Sequence, residues 1–245
     1  MITAVLFDLD DTLLGNHVDS FLPRYFTLLG KYAQRYLDAD RFLQEMMICT
    51  QQMMANTDTA VTNRDVFWNA FQQRTGLDPV ELEPFFDLFY REQFPQLASI
   101  ASKRPAAREM IHLAQSRGWQ VVVATHPVFP RTAVLERLKW AGLDDISFDL
   151  ITTYENMHTT KPHHSYYQEI LDAVGETAET TLMVGDDWEN DIEPAAALGM
   201  HTFWITNGSL DLPPDLSLIT GYGTLDTLFQ RLQTGVGLPA DWLVT

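Results

Sequence analysis

Three acids, Asp8, Asp10 and Asp11, follow an apolar run within "VLFDLDDTLL", residues 5–14. Like charges this close at the end of a buried stretch either stop a strand or gather around something positive. Further along stand Thr125 in "VVVATHP", Lys161 in "TTKP", and Asp186, Asp187 and Asp191 in "VGDDWENDI". Carboxylates crowded without an equal number of cations are stable around a metal ion. Oxygen-only ligands suit a hard cation, and Mg2+ in particular keeps several waters and pairs with phosphate oxygens. A carboxylate at such a site can act as a nucleophile and form an aspartyl-phosphate. Thr125 and Lys161 are donors suited to a phosphoryl group whose charge develops in the transition state. Asp10, two residues beyond Asp8, could lie beside the leaving-group oxygen and serve as acid, then as base.

These residues need elements that bring them together. "ITAVLFD" (2–8) is β-branched and apolar without polar alternation, the pattern of a strand buried on both faces. From about 17 to 98 the chain reads as helices, including "NRDVFWNAFQQRT" and "PVELEPFFDLFYREQF", with Asp40, Asn63 and Asp78-Pro79 as caps or first turns. Phe85, Phe89 and their aromatic neighbours recur at helical spacing and read as core. After 104, strand and helix alternate: strands in "WQVVVAT", "FDLITTY", "TTLMVGD" and "HTFWIT" are separated by helical stretches. That order predicts an α/β core, a Rossmann-like parallel sheet with helices on both faces, interrupted by an inserted α-helical cap. The expected division is a core of 1–16 and 99–245 and a cap of 17–98. A turn-rich tail, "NGSLDLPPDLSLITGYG", precedes a last helix in "TLDTLFQRLQ". In an open parallel sheet ligands bind beyond the carboxyl ends of the strands. The acids, the threonine and the lysine all fall at or just after strand ends.

The four segments "DLDDTLL", "VVVATHP", "TTKP" and "VGDDWENDI" together resemble the motifs of the haloacid dehalogenase-like hydrolase superfamily. The similarity spans essentially the whole chain. Any one motif is weak; the ordered quartet is highly specific. The resemblance implies Asp8 as nucleophile, Asp10 as general acid and base, and Thr125 and Lys161 as phosphoryl-binding residues. It implies Mg2+ held by Asp8, the Asp10 backbone carbonyl and Asp186, with Asp191 in support, and a cap inserted after the first motif. Two positions depart from the pattern. His126 stands where asparagine is frequent, and reads as a loop residue acting through its backbone N–H or as a substrate contact. Asp186 is followed by a second acid, Asp187, and spacing does not choose between them; the family pattern favours Asp186.

The remaining composition narrows the chemistry. Among 245 residues, 16 Lys plus Arg against 33 Asp plus Glu leave a net charge of −17, which repels polyphosphate backbones and argues against a nucleic-acid partner. Cys49 is the single cysteine, so no intramolecular disulfide forms, and it reads as a small apolar residue. No signal-like or membrane-spanning run is evident, and a cytoplasmic location with no membrane partner is expected. His158, His163 and His164 could be drawn as a zinc site, but no cysteine or clear carboxylate completes it. No G-x-S-x-G elbow, Walker loop or dinucleotide fingerprint is present. The expectation is a Mg2+-dependent phosphatase of a small phosphorylated metabolite. A phosphomutase or dehalogenase of the same superfamily, or a non-catalytic phospho-ligand binder, is the alternative. An acid at Asp10 favours an oxygen leaving group over a halide. The substrate and the oligomeric state are not legible.

Overall fold

The chain runs β1 (Ala4–Phe7), β2 (Leu14–Gly15), then helices α1 (Val18–Ala33), α2 (Ala39–Met54), α3 (Asn63–Thr75) and α4 (Pro79–Glu92). It continues through β3 (Ser102–Lys103), α5 (Pro105–Ser116), β4 (Gln120–Val123), α6 (Arg131–Ala141), β5 (Leu150–Ile151) and α7 (His164–Val174). The remainder is β6 (Thr181–Gly185), α8 (Glu193–Ala197), β7 (His201–Ile205), β8 (Gly221–Gly223) and α9 (Leu225–Thr234). This computed structural model describes residues 1–207, 212–239 and 242, so part of the turn-rich tail lies outside the described residues.

Six strands form one parallel sheet in the order β5-β4-β1-β6-β7-β8. Alternate side chains feed two cores, because successive residues of a strand point to opposite faces. Val5, Phe7, Val121, Val123, Leu182 and Val184 belong to one core, which also takes Met110 and Ile111 of α5 and Leu228 of α9. Leu6, Val122 and Met183 point the other way, onto Tyr166, Tyr167 and Ile170 of α7. Burial on both faces explains the unbroken apolar runs, and each fully buried Val, Leu or Phe contributes about 1.5–3 kcal/mol.

The chain leaves the sheet through β2 and returns through β3, and these two pair antiparallel as a short neck. Between 18 and 100 the regular elements are all helices, joined by turns. Asp38 caps α2, Thr62 caps α3, and Asp78 caps α4 with Pro79 in its first turn, each side chain accepting an otherwise unmatched N–H. The first core runs without interruption into this insert: Phe94 stacks on Trp140 of α6 at 5.0 Å, and Phe21, Phe89 and Tyr90 pack around Phe94.

Three local expectations differ. The strand expected over 148–154 is only Leu150–Ile151, since the Asn156 side chain takes the Ile151 carbonyl (2.9 Å) and the Thr153 N–H (2.8 Å). The helical stretch between the strands of "TTLMVGD" and "HTFWIT" opens as a π-helical turn, Trp188–Ile192, before α8. Strand β8, inside the turn-rich tail, joins β7 at the sheet edge and was not legible beforehand.

Candidate active site

The strand order reverses between β1 and β6. From β1 the chain proceeds outward to β4 and β5, then returns to β6 and builds β7 and β8 on the other side. At such a switch point the adjacent connections part and leave a crevice at the carboxyl ends. Asp8 follows β1, Thr125 follows β4 and Asp186 follows β6, so the three central strands deliver them to one edge. Lys161 reaches the same point from the loop before α7, and Asp191 from the π-helical turn. Together they line a cavity of about 310 Å³, bordered on the insert side by Phe21, Leu22 and Met54.

The buried Lys161 ammonium donates to Asp8 at 2.7 Å and to Asp191 at 2.6 Å. Burial alone would lower its pKa, but the Asp191 and Asp8 carboxylates more than offset that and hold it well above the ordinary lysine value. Burial pushes Asp8 up to about 7; the Lys161 ammonium opposes the rise, and the Asp191 and Asp10 charges add to it. Asp186 is pushed up to about 8 by burial and by the neighbouring Asp8 and Asp191 carboxylates. Asp191 rises in the same direction, again through burial, with Lys161 opposing it. One ammonium, bonded to two of them, therefore stands against three acids whose ligand oxygens lie within 4.8 Å of one another. The donor set is all oxygen, incompletely neutralised and partly open, which fits a hard divalent cation.

Glycine at 185 is required by this packing. A Cβ there would lie 2.1 Å from an Asp191 carboxylate oxygen. Asp187 is engaged differently from its neighbour: it accepts the Glu189 and Asn190 N–H groups and the Asn190 side-chain amide, and so caps the π-helical turn. Asp11 adopts a left-handed φ of 58° and turns to Arg104 (3.0 Å) and His17 (2.9 Å). Of the three opening acids, Asp8 joins the buried cluster, Asp10 lines the cavity and Asp11 braces the loop. Thr125 is buried in the cavity wall, its carbonyl fixed by Thr152 (2.7 Å) and Tyr166 (2.9 Å). His126 also lines the cavity, with Nε2 buried and unpartnered, and burial pushes its pKa down to about 3. The three histidines considered for zinc do not converge among the described residues: His158 pairs with Glu169 (2.5 Å) and His163 contacts the Met54 carbonyl (3.0 Å).

One site residue escaped sequence reasoning. Arg137 of α6 is 2% exposed, bonds Asp10 through Nη1, and lies with its guanidinium 4.7 Å from the Phe129 ring centre. Its Nε and Nη2 are buried without partners. Asn16 takes the other Asp10 oxygen at 2.8 Å. The signal was present in the periodicity: Ala133, Val134, Leu138 and Ala141 form the buried stripe of α6, and Arg137 falls inside it.

A family model for haloacid dehalogenase-like hydrolases matches residues 2–199. The chain belongs to this family. It is 26% identical over 207 residues to a ribulose-1,5-bisphosphate 5-phosphatase of Halopiger xanaduensis, covering 82% of this chain and 84% of that one. It is 23% identical over 205 residues to the pyrophosphatase PpaX of Halalkalibacterium halodurans, covering 82% of each. A solved HAD phosphatase of Thermococcus onnurineus shares the fold with a TM-score of 0.60 at 20% identity, over 97% of this chain and 99% of that one. Among the described residues of this hydrolase no helix is long and apolar enough to cross a membrane.

Proposed function

We propose that this hydrolase is a Mg2+-dependent phosphatase that cleaves a small phosphomonoester through an aspartyl-phosphate on Asp8. The Lys161 ammonium bridging Asp8 and Asp191, with Asp186 beside them, is the observation that carries this reading. Asp8, the Asp10 backbone carbonyl and Asp186 would hold Mg2+, with Asp191 and Asp187 in support. When bound, the ion would supply positive charge to the phosphoryl oxygens.

An Asp8 carboxylate oxygen attacks phosphorus, and the bond from phosphorus to the ester oxygen breaks. Asp10 gives its proton to that oxygen, so the leaving group departs as an alcohol. A water then attacks the phosphorus of the aspartyl-phosphate, Asp10 takes a proton from it, and Asp8 and inorganic phosphate are released. Lys161, Thr125 and His126 line the space the phosphoryl group would occupy, and the first two donate to its oxygens. Residues 1–16 and 99–245 act as the catalytic core, and the helices of 17–98 act as a cap that covers the leaving group.

The relatives' names favour phosphate esters and anhydrides over halides. A proton donor at Asp10 also suits oxygen, since a halide needs none. The test is phosphate release over a metabolite panel with Mg2+, repeated after exhaustive chelation. Release that needs Mg2+ supports the assignment. Full activity in EDTA, halide release from haloacids, or phosphoryl exchange without net release would each overturn it.

A further inference from the structure

A second and larger cavity, about 640 Å³, lies between the insert helices and the core segments 128–130 and 154–155, beside the catalytic one. Pockets of this size hold drug-sized ligands, typically ~300–1,000 Å³. All four insert helices turn aromatic side chains into it: Tyr25 and Phe26 from α1, Phe42 from α2, Phe67 and Trp68 from α3, and Phe86 from α4. Its carboxylates are already engaged. Glu83 binds Arg64 and Tyr154, Asp87 binds Thr132 and Arg91, and Glu155 accepts the Arg131 N–H. No lysine, arginine or histidine lines it among the described residues.

The two cavities share Leu22, Val128 and Phe129 as walls. Phe129 lies on their common boundary: Arg137, which bonds Asp10, sits over its ring, and Tyr25 meets it edge-on at 5.5 Å. A phosphoryl group held near Lys161 thus has Asp10 beside it and an aromatic chamber next to that. An anionic leaving group would find no cation in the chamber and would face three carboxylates. A sugar would find Thr50, Gln51 and the engaged carboxylates as partners, but most of the wall is rings and aliphatic side chains, and each hydroxyl set against them carries a cost.

We infer that the chamber receives the leaving group, and that the substrate is the phosphomonoester of a bulky, uncharged apolar alcohol, aromatic or branched aliphatic. This rests on the phosphatase reading above and names its substrate class. The products are inorganic phosphate and the free apolar alcohol, which the chamber holds until it departs.

The experiment compares kcat/KM for methyl, phenyl and 1-naphthyl phosphate with glucose 6-phosphate and phosphoglycolate, all with Mg2+. Isothermal calorimetry with 1-naphthol runs in parallel on the same protein. Phenyl to naphthyl should gain about tenfold or more from the added buried carbons, and both polar esters should trail naphthyl phosphate by about a hundredfold. Thr50→Trp, which fills the chamber from α2, should collapse the naphthyl-to-methyl ratio by about tenfold and weaken naphthol binding to match. Faster turnover of either polar ester than of naphthyl phosphate overturns the inference. So does an undiminished ratio in a folded Thr50→Trp protein. If no ester releases phosphate, the phosphatase reading fails, and naphthol binding decides the chamber by itself: absence of saturable binding rejects it.

Discussion

Lys161 holds two carboxylates at once, and its removal leaves Asp8 and Asp191 as buried, unneutralised neighbours. Breaking a buried pair from one side typically costs about 3–5 kcal/mol. Lys161→Met should therefore lower the unfolding midpoint clearly as well as abolish turnover, and thermal unfolding with and without Mg2+ checks it. A variant as stable as the parent would mean that the acids find other partners. The two catalytic acids should fail differently. Asp8→Asn should form no phosphoenzyme, whereas Asp10→Asn should accumulate it from an activated ester such as p-nitrophenyl phosphate. Acid and base catalysis contributes about 10²–10⁴-fold, enough for intact-mass measurement to catch the trapped species. Phosphate on a histidine instead would rule out this scheme. His126 gives a pH signature. Its pKa of about 3 in the fold lies below the unfolded value of about 6.5, so its contribution is present above pH 6.5 and is lost as pH falls toward 3. Replacing it by asparagine should make stability less acid-sensitive, by about 1–2 kcal/mol at pH 5 relative to pH 8. Denaturant midpoints at the two pH values measure this, and equal acid slopes would show that the ring titrates freely.

At the scale of elements, the turn between β6 and α8 is set by one close approach. Gly185→Ala drives a methyl into the Asp191 carboxylate, so Asp191 must withdraw from Lys161. The expected result is a large fall in kcat with a modest loss of stability, and an unchanged kcat would show that the turn relaxes without moving Asp191. Helix α2 offers a different probe. Cys49 is fully buried in it, and burial pushes its thiol up to about 11. At pH 8 few molecules carry a thiolate, and those few are shielded. Reaction with a thiol-specific disulfide reagent should therefore be slow in the native protein and rapid in denaturant, with its native rate reporting how often the insert opens. Prompt labelling without denaturant would mean that α2 is loosely packed.

Across the whole molecule, the charge of −17 opposes an anionic ester before any local contact forms. Raising salt from 10 to 150 mM shortens the screening length from about 30 to about 8 Å, so kcat/KM for a dianionic ester should rise at constant free Mg2+. A fall would show that a local positive field at the mouth dominates. The same scale separates what the chain announces from what folding decides. The order of strands and helices, the helix starts near Asp40, Asn63 and Asp78, and acids at apolar strand ends are local properties. They follow from side-chain alternation, helical spacing and short-range hydrogen bonding, and each is readable within a dozen residues. The parallel α/β core is thus legible in the chain alone, as are the helical character of the stretch after the first strand and the placing of acids, a threonine and a lysine at strand ends. Arg137 meeting Asp10 across 127 positions, Asp187 acting as a cap while Asp186 joins the buried acids, β8 joining the edge and the aromatic chamber beside Phe129 were decided only in three dimensions. They depend on which distant surfaces pack together, and local periodicity carries the face a side chain occupies but not the partner it meets there.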